Sequence, residues 1–357
     1  LPDTILLDGE PVESRWLSGG YVGRLRVATI ALGAPLQEGS WHVWTVSGGG
    51  ESVSSGLRVF AEPACSGTYG HGDIDRIREN NLNTFVSFGQ LSKEWLDKAA
   101  VANLHGAMHV HGGEPPEPVR GHPAVYGYVL IDEPDVHDYG AKERPMHQRI
   151  GFLAPRLVEE AQACAEADPL NPAIINLNLT FTPANYYVYG PIADFTTGDC
   201  YPVTIGKPLT FLRDCVTTLK RAAAPKPIGF IYQGSWEHFA RKDLEHYVGA
   251  GEIRAKGYQE FADPERVRGF GRPPVPEEIK MQMVYCLGAG ARGLLSFIDA
   301  TEAAGSLVII GSCDLPEIWA AMGEVSNNLA RLREDINTGH PIAWATCDAG
   351  KLWIRTL

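Results

Sequence analysis

Three carboxylates crowd the end of an apolar run in the stretch HPAVYGYVLIDEPDV, from His122 to Val136: Asp132, Glu133 and Asp135, with Pro134 among them. Carboxyl groups held this close raise one another's pKa and can keep a proton at neutral pH, which is what acid–base chemistry needs. Other polar residues recur at the ends of apolar runs: Ser87 and Gln90, His109 and His111, Asn176 and Asn178, Asp199 and Tyr201, then Gln233, Trp236 and Glu237, and lastly Asp299. Carboxylates mixed with neutral amides, histidines and aromatic rings suit a carbohydrate. Sugar hydroxyls bond to carboxylates and amides, and the apolar C–H face of a sugar ring lies on an indole or phenol. Cleaving a glycosidic bond takes two carboxyl groups, one of them protonated to assist the leaving oxygen.

Two other chemistries are weaker. His109-Val110-His111 sets two imidazoles on one face of a strand end, as a metal-dependent hydrolase would. The fifth run, however, offers asparagine where a further histidine ligand belongs, so no metal site is assigned. The surroundings of Ser66 and Ser87 lack the G-x-S-x-G turn that exposes a serine nucleophile. Seven scattered cysteines with no C-x-x-C spacing read as small buried hydrophobes. No cofactor is implied.

What must position these groups is a regular alternation of strands and helices. TFVSF (84–88), GAMHV (106–110), the run ending at Ile131, AIINLN (173–178), ADFTTGDCYP (193–202), PIGFIYQ (227–233) and RGLLSFID (292–299) are short and rich in β-branched or aromatic residues. A further strand is expected near Cys65–Tyr69. Between them lie helical patterns. One is capped by Ser92, one carries Phe211, Leu212, Cys215, Val216 and Leu219, and one opens at Pro276-Glu277-Glu278 and stops at Gly288 and Gly290. A last helix has Ile318, Met322, Val325, Leu329, Leu332 and Ile336 on one face. The central run is apolar on both faces, as strands of covered parallel sheets are. Eight such units predict a (β/α)8 barrel, in which polar strand ends converge on one face. No G-x-G-x-x-G follows an early strand to support an open dinucleotide-binding sheet.

Residues 1–62 read differently. LRVATIALG, GSWHVWTVS and GLRVFAE, separated by Gly-rich turns, predict a β-sandwich-like domain. The expected division is therefore 1–62, a barrel over 63–338, and the start of a C-terminal β element over 339–357. A net charge of −12 argues against nucleic acid as a partner, and no apolar run reaches the roughly 18 residues of a membrane span. The expected partner is a carbohydrate substrate. The chain opens on Leu1, so a removed leader would favour a periplasmic or secreted setting.

Three segments in order resemble the barrel glycosidases of clan A and their uncharacterised bacterial relatives. HPAVYGYVLIDEPD is similar to their fourth strand, DCYP (199–202) to their sixth-strand D-x-YP, and GRPPVPEEIKMQMVYCLGAGARGLLSF (271–297) to their stretch from R-P-x-P-E-E to the eighth strand. The resemblance implies glycoside hydrolysis with Glu133 as general acid/base and Asp132 where those enzymes usually carry asparagine. It also exposes a departure: their nucleophilic glutamate ends the seventh strand, where this chain has Gln233. The second carboxylate is then Glu237, or Asp199 or Asp299 acting on water, or the barrel binds glycans without cleaving them. Asp132, His109, His111, Asn178, Tyr201, Gln233, Trp236 and Asp299 are the expected substrate-binding residues. A metal hydrolase using His109 and His111 is the lesser alternative.

Overall fold

The computed structural model describes residues 4–12, 14–22, 25–30, 32, 34–60, 65–70, 72–110, 114–178, 183–239, 273–304 and 307–338. Two compact units make up the chain, Ala64–Arg331 and a second from Leu1–Pro63 with Leu332–Leu357. In the latter, β1 (Thr4–Leu7), β2 (Glu10–Pro11), β5 (Trp41–Gly48) and β6 (Glu51–Arg58) form an antiparallel sheet in the order β2-β1-β5-β6. The strands β3 (Ser14–Val22) and β4 (Leu25–Ile30) pair with each other. The sandwich-like reading and the boundaries 1–62, 63–338 and 339–357 remain proposals. The expected C-terminal β element lies outside the described residues.

The larger unit is a (β/α)8 barrel. Its strands are β7 (Cys65–Gly70), β8 (Thr84–Ser87), β9 (His105–His109), β10 (Val125–Asp132), β11 (Ala173–Asn178), β12 (Phe195–Cys200), β13 (Gly229–Gln233) and β15 (Gly293–Phe297). They close in the order β10-β11-β12-β13-β15-β7-β8-β9, every pair parallel. All eight expected strands are present. One addition escaped the sequence: β14 (Trp236–Phe239), β16 (Glu302–Ala304) and β17 (Leu307–Ile310) form a small antiparallel sheet.

Side chains alternate along a strand, so one parity fills the barrel. Tyr69, Val86, Ala107, Val129, Ile174, Phe195, Ile231 and Leu295, one from each strand, make its buried interior. Full burial of such a side chain stabilises by about 1.5–3 kcal/mol. Two residues further along the same parity stand His109, Asn176, Thr197, Gln233 and Phe297, and a further step reaches Asn178 and Asp199. The apolar plug and the polar mouth are thus successive layers of one pattern.

The helices are α1 (Ile74–Glu79), α2 (Lys93–Val101), α3 (Pro134–Gly140), α4 (Met146–Arg149), α5 (Ala154–Ala167), α6 (Pro183–Tyr189), α7 (Thr210–Ala223), α8 (Pro276–Ala289) and α9 (Pro316–Thr338). Ser92 caps α2 as expected, its hydroxyl accepting from Trp95 N at 3.2 Å. Glu278 accepts from Val275 N at 3.0 Å to close the first turn of α8, and Gly290 ends that helix in the left-handed region. Both α3 and α6 are short and follow strands directly, and neither shows in the sequence periodicity. Six cysteines are described as thiols, five of them buried and Cys313 partly so. Among the described residues no helix is long and apolar enough to cross a membrane.

Candidate active site

Glu133 sits at the turn from β10 into α3 with φ 47° and ψ 57°, the left-handed region. A non-glycine residue there is strained by about 1–3 kcal/mol and persists only where its surroundings hold it. Three backbone bonds do so: Glu133 N donates to Asn176 O at 2.9 Å, and Glu133 O accepts from Val136 N at 3.0 Å and His137 N at 3.3 Å. Pro134, which lacks an N–H, takes the first helical position. The side chain is held as well, since Asn178 Nδ2 donates to Glu133 Oε1 at 2.6 Å.

Asn176, one layer below, ties the remaining acids together. Its amide nitrogen donates to Asp132 Oδ1 at 2.8 Å and to Asp199 Oδ2 at 3.2 Å, and its oxygen accepts from Thr197 Oγ1 at 3.0 Å. Asp199 is only 5% exposed, and the Tyr201 hydroxyl reaches its Oδ2 at 3.5 Å. The Glu133 and Asp199 carboxyls lie side by side, close enough for each to act on the other's ionisation. Among the described residues no amide or hydroxyl donor reaches Asp199 Oδ1. Two carboxylates this close disfavour simultaneous ionisation, so a proton on one of them relieves the contact. Burial raises both acids. Asp199 is pushed well above the usual carboxylate range by burial and then by the charges of Glu133 and Asp132. Glu133 is raised by burial too, against the lowering effect of Asp199 and Asn178. Both shifts favour retention of a proton, and the larger acts on the more deeply buried Asp199.

A further acid supports this arrangement from behind. Asp135 is fully buried, accepts from Asn178 N at 3.0 Å through Oδ1, and is pushed up to about 7, chiefly by burial. Asp138 anchors α3 to α6 by accepting from Tyr189 at 2.7 Å and Asn185 at 2.8 Å, and it also accepts from Gly151 N at 2.6 Å.

The other expected residues divide. Tyr201 is half-buried and stacks on Phe297, ring centroids 5.7 Å apart and planes 21° from parallel. His109 is buried at the inner end of β9. Asp299 is buried against Gly70, where φ is +142° and a Cβ would stand 1.7 Å from Asp299 Oδ1. Gln233 is fully buried and its amide is used internally. Oε1 accepts from Val203 N at 3.2 Å and Thr204 N at 3.1 Å, while Nε2 donates to Thr204 Oγ1 at 2.8 Å and Ser235 O at 3.2 Å. Trp236, 1% exposed, offers no open indole face. Glu237 lies in β14 opposite Ile309, with its side chain outside the described residues, as is the whole of His111. The structure thus gathers Asp132, Glu133, Asn178, Asp199 and Tyr201 in one place and commits Gln233 and Trp236 elsewhere. It adds Asn176 as the bridge, on the same strand face as Asn178. Among the described residues no group of three or more His, Cys, Asp or Glu side chains could hold a metal ion.

No family model matches the sequence, and no curated protein matches it. Solved structures do match in fold. The β-galactosidase of the psychrophilic Marinomonas ef1 superposes with TM-score 0.54 at 10% identity, over 76% of this chain and 60% of that one. The β-galactosidase of Rahnella sp. R3 gives 0.53 at 9% identity over 76% and 57%. That of Bacillus circulans sp. alkalophilus gives 0.53 at 10% over 78% and 57%. This chain spans less than two thirds of each. At these identities the likeness is one of fold, the barrel that glycoside hydrolases of this kind use.

Proposed function

We propose that the chain is a glycoside hydrolase in which Glu133 donates the proton to the leaving glycosidic oxygen and Asp199 is the group that shares that proton with it. The observation that carries the reading is the Glu133–Asp199 carboxyl pair at the C-terminal ends of barrel strands, where barrel enzymes keep their chemistry. A general acid needs a proton to give at working pH, and the raised Asp199 beside Glu133 would hold one to pass to it. Asn178 and Tyr201 add a neutral amide and the ring face that sugars require. The barrel's likeness to β-galactosidases agrees with a carbohydrate substrate. Asp199, beside Glu133, is assigned to proton storage, and the second carboxylate of the reaction is left open. Release of reducing ends from a panel of oligosaccharides tests the reading. Turnover should vanish in Glu133→Gln and fall steeply in Asp199→Asn with the fold intact by circular dichroism, and turnover surviving in Glu133→Gln would overturn the assignment.

One observation favours a second reading, a barrel that binds glycans without cleaving them. The seventh strand ends in Gln233, an amide spent on the Val203–Thr204 loop. Binding of the same panel without any reducing-end release would select this alternative.

A further inference from the structure

We propose that Phe88 is the outer platform of a sugar-binding cleft, so that the preferred ligand is an oligosaccharide lying over at least two aromatic rings rather than a single terminal sugar. The inference rests on the carbohydrate reading of the carboxyl pair and extends it to the shape of the ligand.

Phe88 follows β8 on the parity of Val86, which places it over the barrel's interior at the mouth. Val86 is 2% exposed, whereas Phe88 is 39% exposed. An aromatic ring left this open forgoes part of the stabilisation its burial would bring, so core packing alone does not account for it. Its aromatic neighbours, Tyr69 and His109 buried and Phe297 partly so, connect it to the rest of the mouth. Tyr69 lies beneath at 5.6 Å between centroids, Phe297 beside it at 6.2 Å and nearly perpendicular, and His109 at 6.4 Å. From Phe297 the contacts continue to the stacked Tyr201 at 5.7 Å, whose hydroxyl meets Asp199. The rings therefore lead from the rim to the carboxyl pair. Each step from Phe88 to Phe297 to Tyr201 is of the order of the advance from one pyranose ring to the next in a chain. Sugars bind such surfaces by laying their C–H faces on the rings, while hydroxyls at the inner end find Asn178 and Asp132. Phe88 stands where a ring remote from the bond under attack would rest, and binding energy gained there serves to position the bond at Glu133.

The test uses the full chain carrying Glu133→Gln, which separates binding from cleavage. Gluco-, galacto-, manno- and xylo-oligosaccharides of one to six units are titrated calorimetrically into this protein, with and without Phe88→Ala and Phe88→Trp. Affinity is expected to rise with chain length. Phe88→Ala should remove about tenfold of the gain for two or more units relative to its effect on the matching monosaccharide, and Phe88→Trp should restore it. Equal losses for monosaccharide and oligosaccharide, or no loss at all, would overturn the role of Phe88 while leaving the carbohydrate reading standing. Absence of binding across the whole panel, with the parent chain also inert, would overturn both.

Discussion

Asn178 holds Glu133 from the neighbouring strand, its side-chain amide donating to Glu133 Oε1 at 2.6 Å. The bond favours the ionised carboxylate and so works against the burial that raises this acid. Asn178→Ala should therefore raise the titration midpoint of Glu133, read by carboxyl 13C NMR with Glu133→Gln to assign the signal. Hydrogen bonds to charged groups contribute about 1.5–3 kcal/mol, so kcat/KM on any cleaved glycan should fall tenfold or more. A midpoint that moves down would contradict the arrangement.

Asp135 makes a separate, pH-dependent contribution. Its value of about 7 in the folded chain stands above the ordinary 3.8, because burial, then the charges of Glu133 and Asp138, disfavour ionisation against the bond from Asn178 N. Tyr186, packed nearby on α6, feels the same charge. Between these two values the folded state binds the extra proton, so stability is greatest near pH 4 and is lost as pH rises through 7. Asp135→Asn carries no charge to bury. Its unfolding free energy should match the parent at pH 4 and exceed it at pH 8 by an amount on the order of a few kcal/mol, read as a higher melting temperature at pH 8 only. Parallel melting curves at both pH values would refute the linkage.

Gln233→Glu is the obvious way to supply the missing seventh-strand carboxylate, and it should fail. The new oxygen would face Ser235 O, which now accepts from the amide at 3.2 Å, in a fully buried site. An uncompensated buried charge of this kind should destabilise the chain by about 3–5 kcal/mol, visible as a lower denaturation midpoint in urea, with no gain in glycan cleavage.

Gly70→Ala probes the opposite wall. With φ at +142° and Asp299 Oδ1 only 1.7 Å from the added Cβ, the substitution must displace the Asp299 carboxyl. Loss of more than about 1 kcal/mol of stability is expected by thermal melting, and Gly70→Ser should be no better tolerated.

The fold was legible because one pattern repeats eight times. Short β-branched runs, each with polar residues two or four positions past a core residue, betray both the strands and the face on which their ends meet. Glu133 and Asp199 were legible for the same reason. Their close approach was not, because it depends on the left-handed turn at Glu133, and that turn is held by Asn176 O, on a strand more than forty residues away. Gln233 and Trp236 misled in the opposite sense. A polar or aromatic residue at a strand end looks available in sequence, and only the loops around it reveal that Val203, Thr204 and Ser235 already claim the amide. Likewise α3 and α6 are too short to show a helical period, yet through Asp138, Tyr189 and Asn185 they brace the turn that carries Glu133.

The proton that Glu133 and Asp199 share in the proposed mechanism has a calorimetric consequence. A ligand that slides between the two carboxyls parts them, and each acid then titrates in new surroundings, so occupancy is tied to exchange of hydrogen ions with the medium. Binding heats measured at one pH in phosphate and in Tris, whose ionisation enthalpies differ, will disagree by an amount proportional to the protons moved. In Glu133→Gln that disagreement will shrink, because the shared proton no longer exists to be traded.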